Sequence, residues 1–222
     1  MWSIPHIYAA NETMSDFYVP GEVYTNLRKM IIRRGGVPSD AELTNKQITQ
    51  QLSQREYIIM AATRPATDPR GAATIAVVLV APESKLVRAT ASLKKLLRDA
   101  MKLKKAEPLE VLLITKEPMQ ERLTDQEEIK EKNPNVIIEN YVYTIFLVDI
   151  TMHESSPEHQ LASDEEMAFC KQYYAQRADF PKIPVSDPQA VWLGLRPGMV
   201  VKIIRPSESA GYAPTYRVCV KG

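Results

Sequence analysis

Nucleophilic catalysis needs a nucleophile, a base within reach and a group that orients the base. The 222-residue chain offers three histidines, His6, His153 and His159, and two cysteines, Cys170 and Cys219. It has no Gly-x-Ser-x-Gly turn, and neither cysteine stands in a catalytic setting. His153 and His159 are six residues apart, a spacing that does not suit one helix face. They read as groups that tie down a connecting segment by hydrogen bonds. Phosphate loops need clustered glycines, yet the chain has eight glycines and no Gly-x-x-x-x-Gly-Lys, so Gly35-Gly36 reads as a helix stop. Metal-dependent nucleases need converging carboxylates. The pairs Glu83/Lys85 and Glu128/Lys130 lie on predicted helices with no partner aspartate at a suggestive spacing. The residues therefore predict no catalytic group, no metal ligand and no cofactor.

One segment carries a charge pattern that could act. Between Ser84 and Lys105, the cations Lys85, Arg88, Lys94, Lys95, Arg98, Lys102, Lys104 and Lys105 face only Asp99. On a helix this array could track a phosphate backbone. A solvated amphipathic surface is the favoured explanation, since Lys and Arg are the usual choice there. No aromatic residue interleaves, which argues against a stacking platform for single strands.

The elements that must hold these groups follow from periodicity. Val23, Leu27, Met30 and Ile31 mark one face of a helix over 22–34, closed by Arg33, Arg34 and Gly35-Gly36. Ser39 to Glu42 fits a capping box, predicting a further helical stretch with Leu43, Ile48 and Leu52. Tyr57–Ala62, Thr74–Ala81 and Leu109–Thr115 read as buried strands, and Ser84–Lys105 as the longest helix. An acidic helix is expected over Met119–Lys132, with strands at Val136–Ile138 and Thr144–Ile150. Residues 151–162 read as a connection. Beyond it, Ser163 and Glu166 form a capping box for a helix with Met167, Cys170 and Tyr174 on one face. Asp187-Pro188 starts a short helix ending at Gly194. Arg196-Pro197-Gly198 is a turn, Met199–Arg205 and Thr215–Lys221 are strands, and 206–214 joins them. The fold class is mixed α+β. A layered α/β domain over 1–150 precedes a small α+β domain over 151–222, near the lower size limit for standing alone.

Composition is that of an ordinary globular chain, 45% hydrophobic and 25% charged. A net charge of +1, from 28 basic and 27 acidic residues, excludes coating of nucleic acid by bulk charge but leaves room for a local patch. Two cysteines make no disulfide framework and read as reduced core thiols. No apolar run reaches the roughly 18 residues that span a bilayer, and Met1–Tyr8 lacks the features of a signal peptide. The expected setting is intracellular: host cytoplasm and virion if the genome is viral, the nucleus if it is cellular.

The C-terminal third is specific. Ile150-Thr151-Met152-His153-Glu154, Pro157-Glu158-His159 and Leu161-Ala162-Ser163 open it. Phe180-Pro181-Lys182-Ile183 and the run from Ser186-Asp187-Pro188 to Leu195 follow, then Arg196-Pro197-Gly198, Val200 to Gly211, and Tyr216-Arg217. About 70 residues of this order strongly resemble the shared fifth subunit of eukaryotic nuclear RNA polymerases, a family with a shorter counterpart in archaeal polymerases. Asn133 to Ile138 and Val191 to Gly194 look like versions carried by large cytoplasmic DNA viruses. Before residue 150 the likeness is confined to element order and to Ile114-Thr115 with Met119.

The resemblance implies a non-catalytic subunit of a multisubunit DNA-directed RNA polymerase. Its C-terminal domain would dock on the largest subunit, and its N-terminal domain would form part of a jaw beside downstream duplex DNA, with no membrane involved. Arg205, Ser207, Glu208 and Arg217 are the expected partner-binding residues; Lys94, Thr115 and Lys116 are the expected DNA-proximal ones. A free-standing regulator that mimics the subunit, and a nuclease built on the N-terminal domain, are the competing classes.

Overall fold

Uninterrupted apolar runs need cover on both faces, and two runs of this chain receive it. In the computed structural model, which describes residues 20–84, 95–96, 98–100, 102, 108–119, 134–153, 156–172, 179–207, 209 and 211–221, strands β3 (Ala73–Val80) and β4 (Leu109–Thr115) are buried at every position. They sit in a five-stranded sheet of order β1-β2-β3-β4-β5, with β1 at Val37–Pro38, β2 at Tyr57–Arg64 and β5 at Val136–Val142. β1, β2 and β3 pair antiparallel, whereas β3, β4 and β5 run parallel. One face packs Ile75, Val77, Leu79, Leu112 and Ile114 against helices α1 (Pro20–Arg33) and α2 (Asn45–Arg55). The other packs Val78, Val111 and Leu113 against Leu96 and Ala100 of the basic segment.

α1 forms as its periodicity predicts, with Val23, Leu27, Met30 and Ile31 all buried. α2 starts later than expected. Thr44 and Gln47 make the capping box. Ser39 and Asp40 are instead tied to β2, where the Ser39 N–H donates to the Ala61 carbonyl and the Asp40 carboxylate accepts from the Ala61 N–H. Leu43 precedes the helix and packs against the core.

The expected strand over 144–150 is a 3-10 turn, Tyr143–Phe146, followed by turns. β4 ends at Thr115, opposite Val142, so the chain beyond Val142 has no ladder to continue. Its apolar residues turn inward instead. Tyr143 and Phe146 are buried, and the Phe146 carbonyl accepts from Asn26 at 2.9 Å.

The second sheet has order β6-β8-β9-β7, with β6 at Glu158–Leu161, β7 at Lys182–Pro184, β8 at Val200–Ser207 and β9 at Gly211–Val220. β6 and β7 were hidden in the sequence because each is short and turns only one or two residues inward. The prolines of 206–214 do not break the hairpin. Pro206 pairs with Tyr212 and Pro214 with Ile204, so the strands continue almost to their link. Helix α3 (Asp164–Gln172) begins at the predicted Ser163–Glu166 capping box, with reciprocal bonds of 3.0 and 3.1 Å. Helix α4 (Pro188–Leu193) is capped by Asp187 and ends at Gly194, whose φ of 63° and close approach to the Arg34 side chain both favour glycine. Both cysteines are free, but only Cys219 is a core thiol; Cys170 is half-buried.

Of the expected basic helix, Lys95, Leu96 and 98–100 are helical. Ser84 is not helical and Lys102 stands in a turn. Its other residues, the expected helix over 119–132 beyond Met119, and Tyr174 lie outside the described residues.

Candidate docking and nucleic-acid surfaces

The two sheets are joined by a knot of buried charge. Glu110 is a lone carboxylate in an apolar strand and is 4% exposed. Arg64 reaches it across the small Ala73, at 2.5 Å, and Arg196 reaches it from the turn after α4. Arg34 is 2% exposed and donates to the Val191 carbonyl at 2.7 and 3.0 Å and to Glu139 at 3.1 Å. Arg70, held by Asp68, donates to the carbonyls of Arg33 and Leu193. Two arginines of the N-terminal half thus cap the last carbonyls of α4, where cations suit the helix dipole. Burial opposes the charge on Arg34, yet Glu139 and Tyr141 more than offset it and raise its pKa. Burial pushes the Tyr141 hydroxyl up to about 12.

Apolar contact follows the same path. Trp192 is fully buried in the core of the first sheet, its ring 6.0 Å from that of Phe146, and Val191 joins it there. Reading the sequence by periodicity missed this joint. The available signal was Glu110 itself, a single charge inside Leu-Glu-Val-Leu-Leu-Ile, which demands a buried cation.

The expected partner-binding residues lie on the β8–β9 hairpin. β6 covers β8 only from Val201 to Ile204, and β7 covers β9 only from Val218 to Val220. Among the described residues, the distal hairpin is therefore a two-stranded ribbon with both outer edges unpaired. Arg205 is exposed and shares a face with Ser207, whose hydroxyl lies 3.4 Å from that of Ser209. Arg217 pairs with Val201 on that same face, about 13 Å nearer the base of the ribbon. Glu208 lies outside the described residues. The opposite face is anchored by Phe180 stacked on Tyr216 at 5.8 Å and by Lys202 bonded to Glu166. The bond to Lys202 holds the Glu166 carboxyl below its ordinary range.

The expected DNA-proximal residues lie at the far end of β4. Thr115 is buried; its hydroxyl donates to the Glu117 carbonyl at 2.7 Å and accepts from Asn140 at 2.9 Å. Lys116 beside it is exposed. This end carries the carboxyl termini of the parallel strands, the edge at which open α/β sheets bind ligands. Ala81–Ser84, which lead into the basic segment, leave β3 at the same edge, where the Ala81 N–H donates to the Glu56 carbonyl. Lys94 lies outside the described residues. His159 is buried, its Nδ1 2.7 Å from the Pro157 carbonyl and its own carbonyl taken by Arg33, as expected of a tie; His153 is exposed.

Among the described residues no group of three or more His, Cys, Asp or Glu side chains could hold a metal ion, and no helix is long and apolar enough to cross a membrane.

Residues 148–219 match the family model described as RNA polymerase Rpb5, C-terminal domain. The resemblance read from the sequence is thus correct for the C-terminal third. The African swine fever virus chain named DNA-directed RNA polymerase RPB5 homolog (isolate Pig/Kenya/KEN-50/1950) is 42% identical over 95 residues, 42% of this chain and 46% of that one. The Caenorhabditis elegans chain named DNA-directed RNA polymerases I, II, and III subunit RPABC1 is 41% identical over 96 residues, 43% of this chain and 46% of that one. The match spans a little under half the length of these curated relatives.

Proposed function

We propose that the chain is a non-catalytic subunit of a multisubunit DNA-directed RNA polymerase. It docks on the largest subunit through its C-terminal domain and holds its N-terminal domain beside downstream duplex DNA. The observation that carries this reading is the match of residues 148–219 to a domain named for a polymerase subunit, in both viral and nematode relatives.

The geometry supports each half. A ribbon whose outer edges have no strand neighbour among the described residues, with exposed Arg205 and half-buried Arg217, is a surface that a partner strand or carboxylate can complete. Lys116 stands exposed at the carboxyl end of the parallel strands, and Ala81–Ser84, which lead into the basic segment, leave β3 at that same end. Contacts of that kind go to phosphates and carry little sequence preference.

Recovery of the tagged chain from its native cells, followed by a high-salt wash and mass spectrometry, tests the reading. Stoichiometric retention of the large polymerase subunits is the expected result. Their loss in the wash would mark a transient regulator instead.

A further inference from the structure

Asn140 stands on the edge strand β5, opposite Leu113. Its carboxamide makes three hydrogen bonds, all to the end of β4 and the loop that follows. Nδ2 donates to the Leu113 carbonyl at 3.0 Å and to the Thr115 hydroxyl at 2.9 Å, and Oδ1 accepts from the Met119 N–H at 2.7 Å. Thr115 passes the restraint on by donating to the Glu117 carbonyl. One side chain thus grips both ends of the loop, and between those ends Lys116, Glu117 and Pro118 are exposed.

The chemistry of this grip suits an amide. Two donors and an acceptor are needed on one short side chain. Aspartate would aim lone pairs at the Leu113 carbonyl. Leucine fills the space but makes none of the bonds. The loop leaves the carboxyl edge of the parallel strands, and two bonds from a neighbouring strand keep it from following β4 onward.

We propose that Asn140 is a positioning residue for this surface: it sets the shape of loop 115–119 and so fixes where Lys116 presents its charge to a phosphate backbone. The purpose rests on the DNA-proximal reading above; the grip itself does not. The test uses the full chain with Asn140→Leu, Thr115→Val and Lys116→Ala. Amide hydrogen exchange at Met119 and salt-dependent binding of a mixed-sequence DNA duplex are both measured. Asn140→Leu should speed Met119 exchange roughly tenfold, the loss expected for one hydrogen bond, and should lower duplex affinity as Lys116→Ala does. Thr115→Val should weaken binding while leaving Met119 protected, because it cuts the Thr115–Glu117 and Asn140–Thr115 links but leaves the bond from the Met119 N–H to Asn140. Lys116→Ala should lower affinity with exchange unchanged. Unchanged Met119 exchange in Asn140→Leu overturns the proposal even where affinity falls. Faster exchange with native affinity overturns the link between loop shape and binding. Absence of duplex binding by the unsubstituted chain overturns the nucleic-acid purpose, and the exchange result then judges the grip alone.

Discussion

The guanidinium of Arg34, at the end of the first helix, lies 2.7 Å from the carbonyl oxygen of Val191, 157 residues away in the last helix. One side chain therefore closes a helix of the other half of the molecule and also neutralises Glu139. Arg34→Met should leave that carbonyl short of a donor and Glu139 short of a cation, at a cost of about 3 kcal/mol. Urea unfolding followed by Trp192 fluorescence, in a Trp2→Phe background, measures it.

Trp192 belongs to the small second domain by sequence but is buried in the core of the first sheet. Trp192→Ala should cost about 3–5 kcal/mol. Because the core is shared, both sheets should unfold in one transition. Two separated transitions would show that the joint is weaker than its burial implies. Partner mapping is accordingly better done in the full chain than in a fragment beginning at residue 151, which would expose Val191 and Trp192.

Burial holds the His159 imidazole below its ordinary 6.5. The bond to the Pro157 carbonyl and the charge on Asp187 pull the other way, and Arg33 and Arg205 add to the depression. The unfolded chain thus takes up this proton at higher pH than the folded one. The contribution of neutral His159 is complete above about pH 6.5 and falls as pH drops from there through the folded value. His159→Gln should remove this upper limb of the acid-stability profile. A lower limb remains, from Asp149, which burial raises but Thr151 and Lys29 hold below the usual carboxylate range.

Arg205→Ala and Arg217→Ala should each weaken capture of the largest polymerase subunit, and for exposed Arg205 the unfolding free energy should stay within about 0.5 kcal/mol of the native value. Equal capture by the native chain and by the double variant would remove the distal hairpin from the docking surface.

Lys116→Ala and Lys94→Ala should leave polymerase assembly intact and loosen the hold on downstream DNA at low salt. Each lost phosphate contact lowers the log–log salt slope by about 0.9, and the difference should fade as screening rises. Photocrosslinking from downstream DNA in a stalled complex checks the placement; absence of label on residues 1–150 at every position would end the DNA assignment.

What the sequence determined by itself was what short-range rules control. The face of α1, the buried runs of β3 and β4, the Ser163–Glu166 box and the Asp187–Gly194 helix are all written in periodicity and capping residues. So was the kinship of the last third, because an ordered run of some 70 residues is itself the signal. Local rules misplaced the start of α2, since Ser39 and Asp40 direct their hydrogen bonds to β2. They also turned 144–150 into a strand that has no neighbour to pair with. Tertiary structure alone decided the rest. It brought Arg34, Arg64, Arg70 and Arg196 onto Glu110, Glu139 and the carbonyls of α4, buried Trp192 in the core of the first sheet, and set Asn140 against the loop of Lys116. These contacts join residues from 21 to 157 positions apart, and no periodicity encodes such a distance. They exist because a buried charge or amide must find its partner wherever folding puts one.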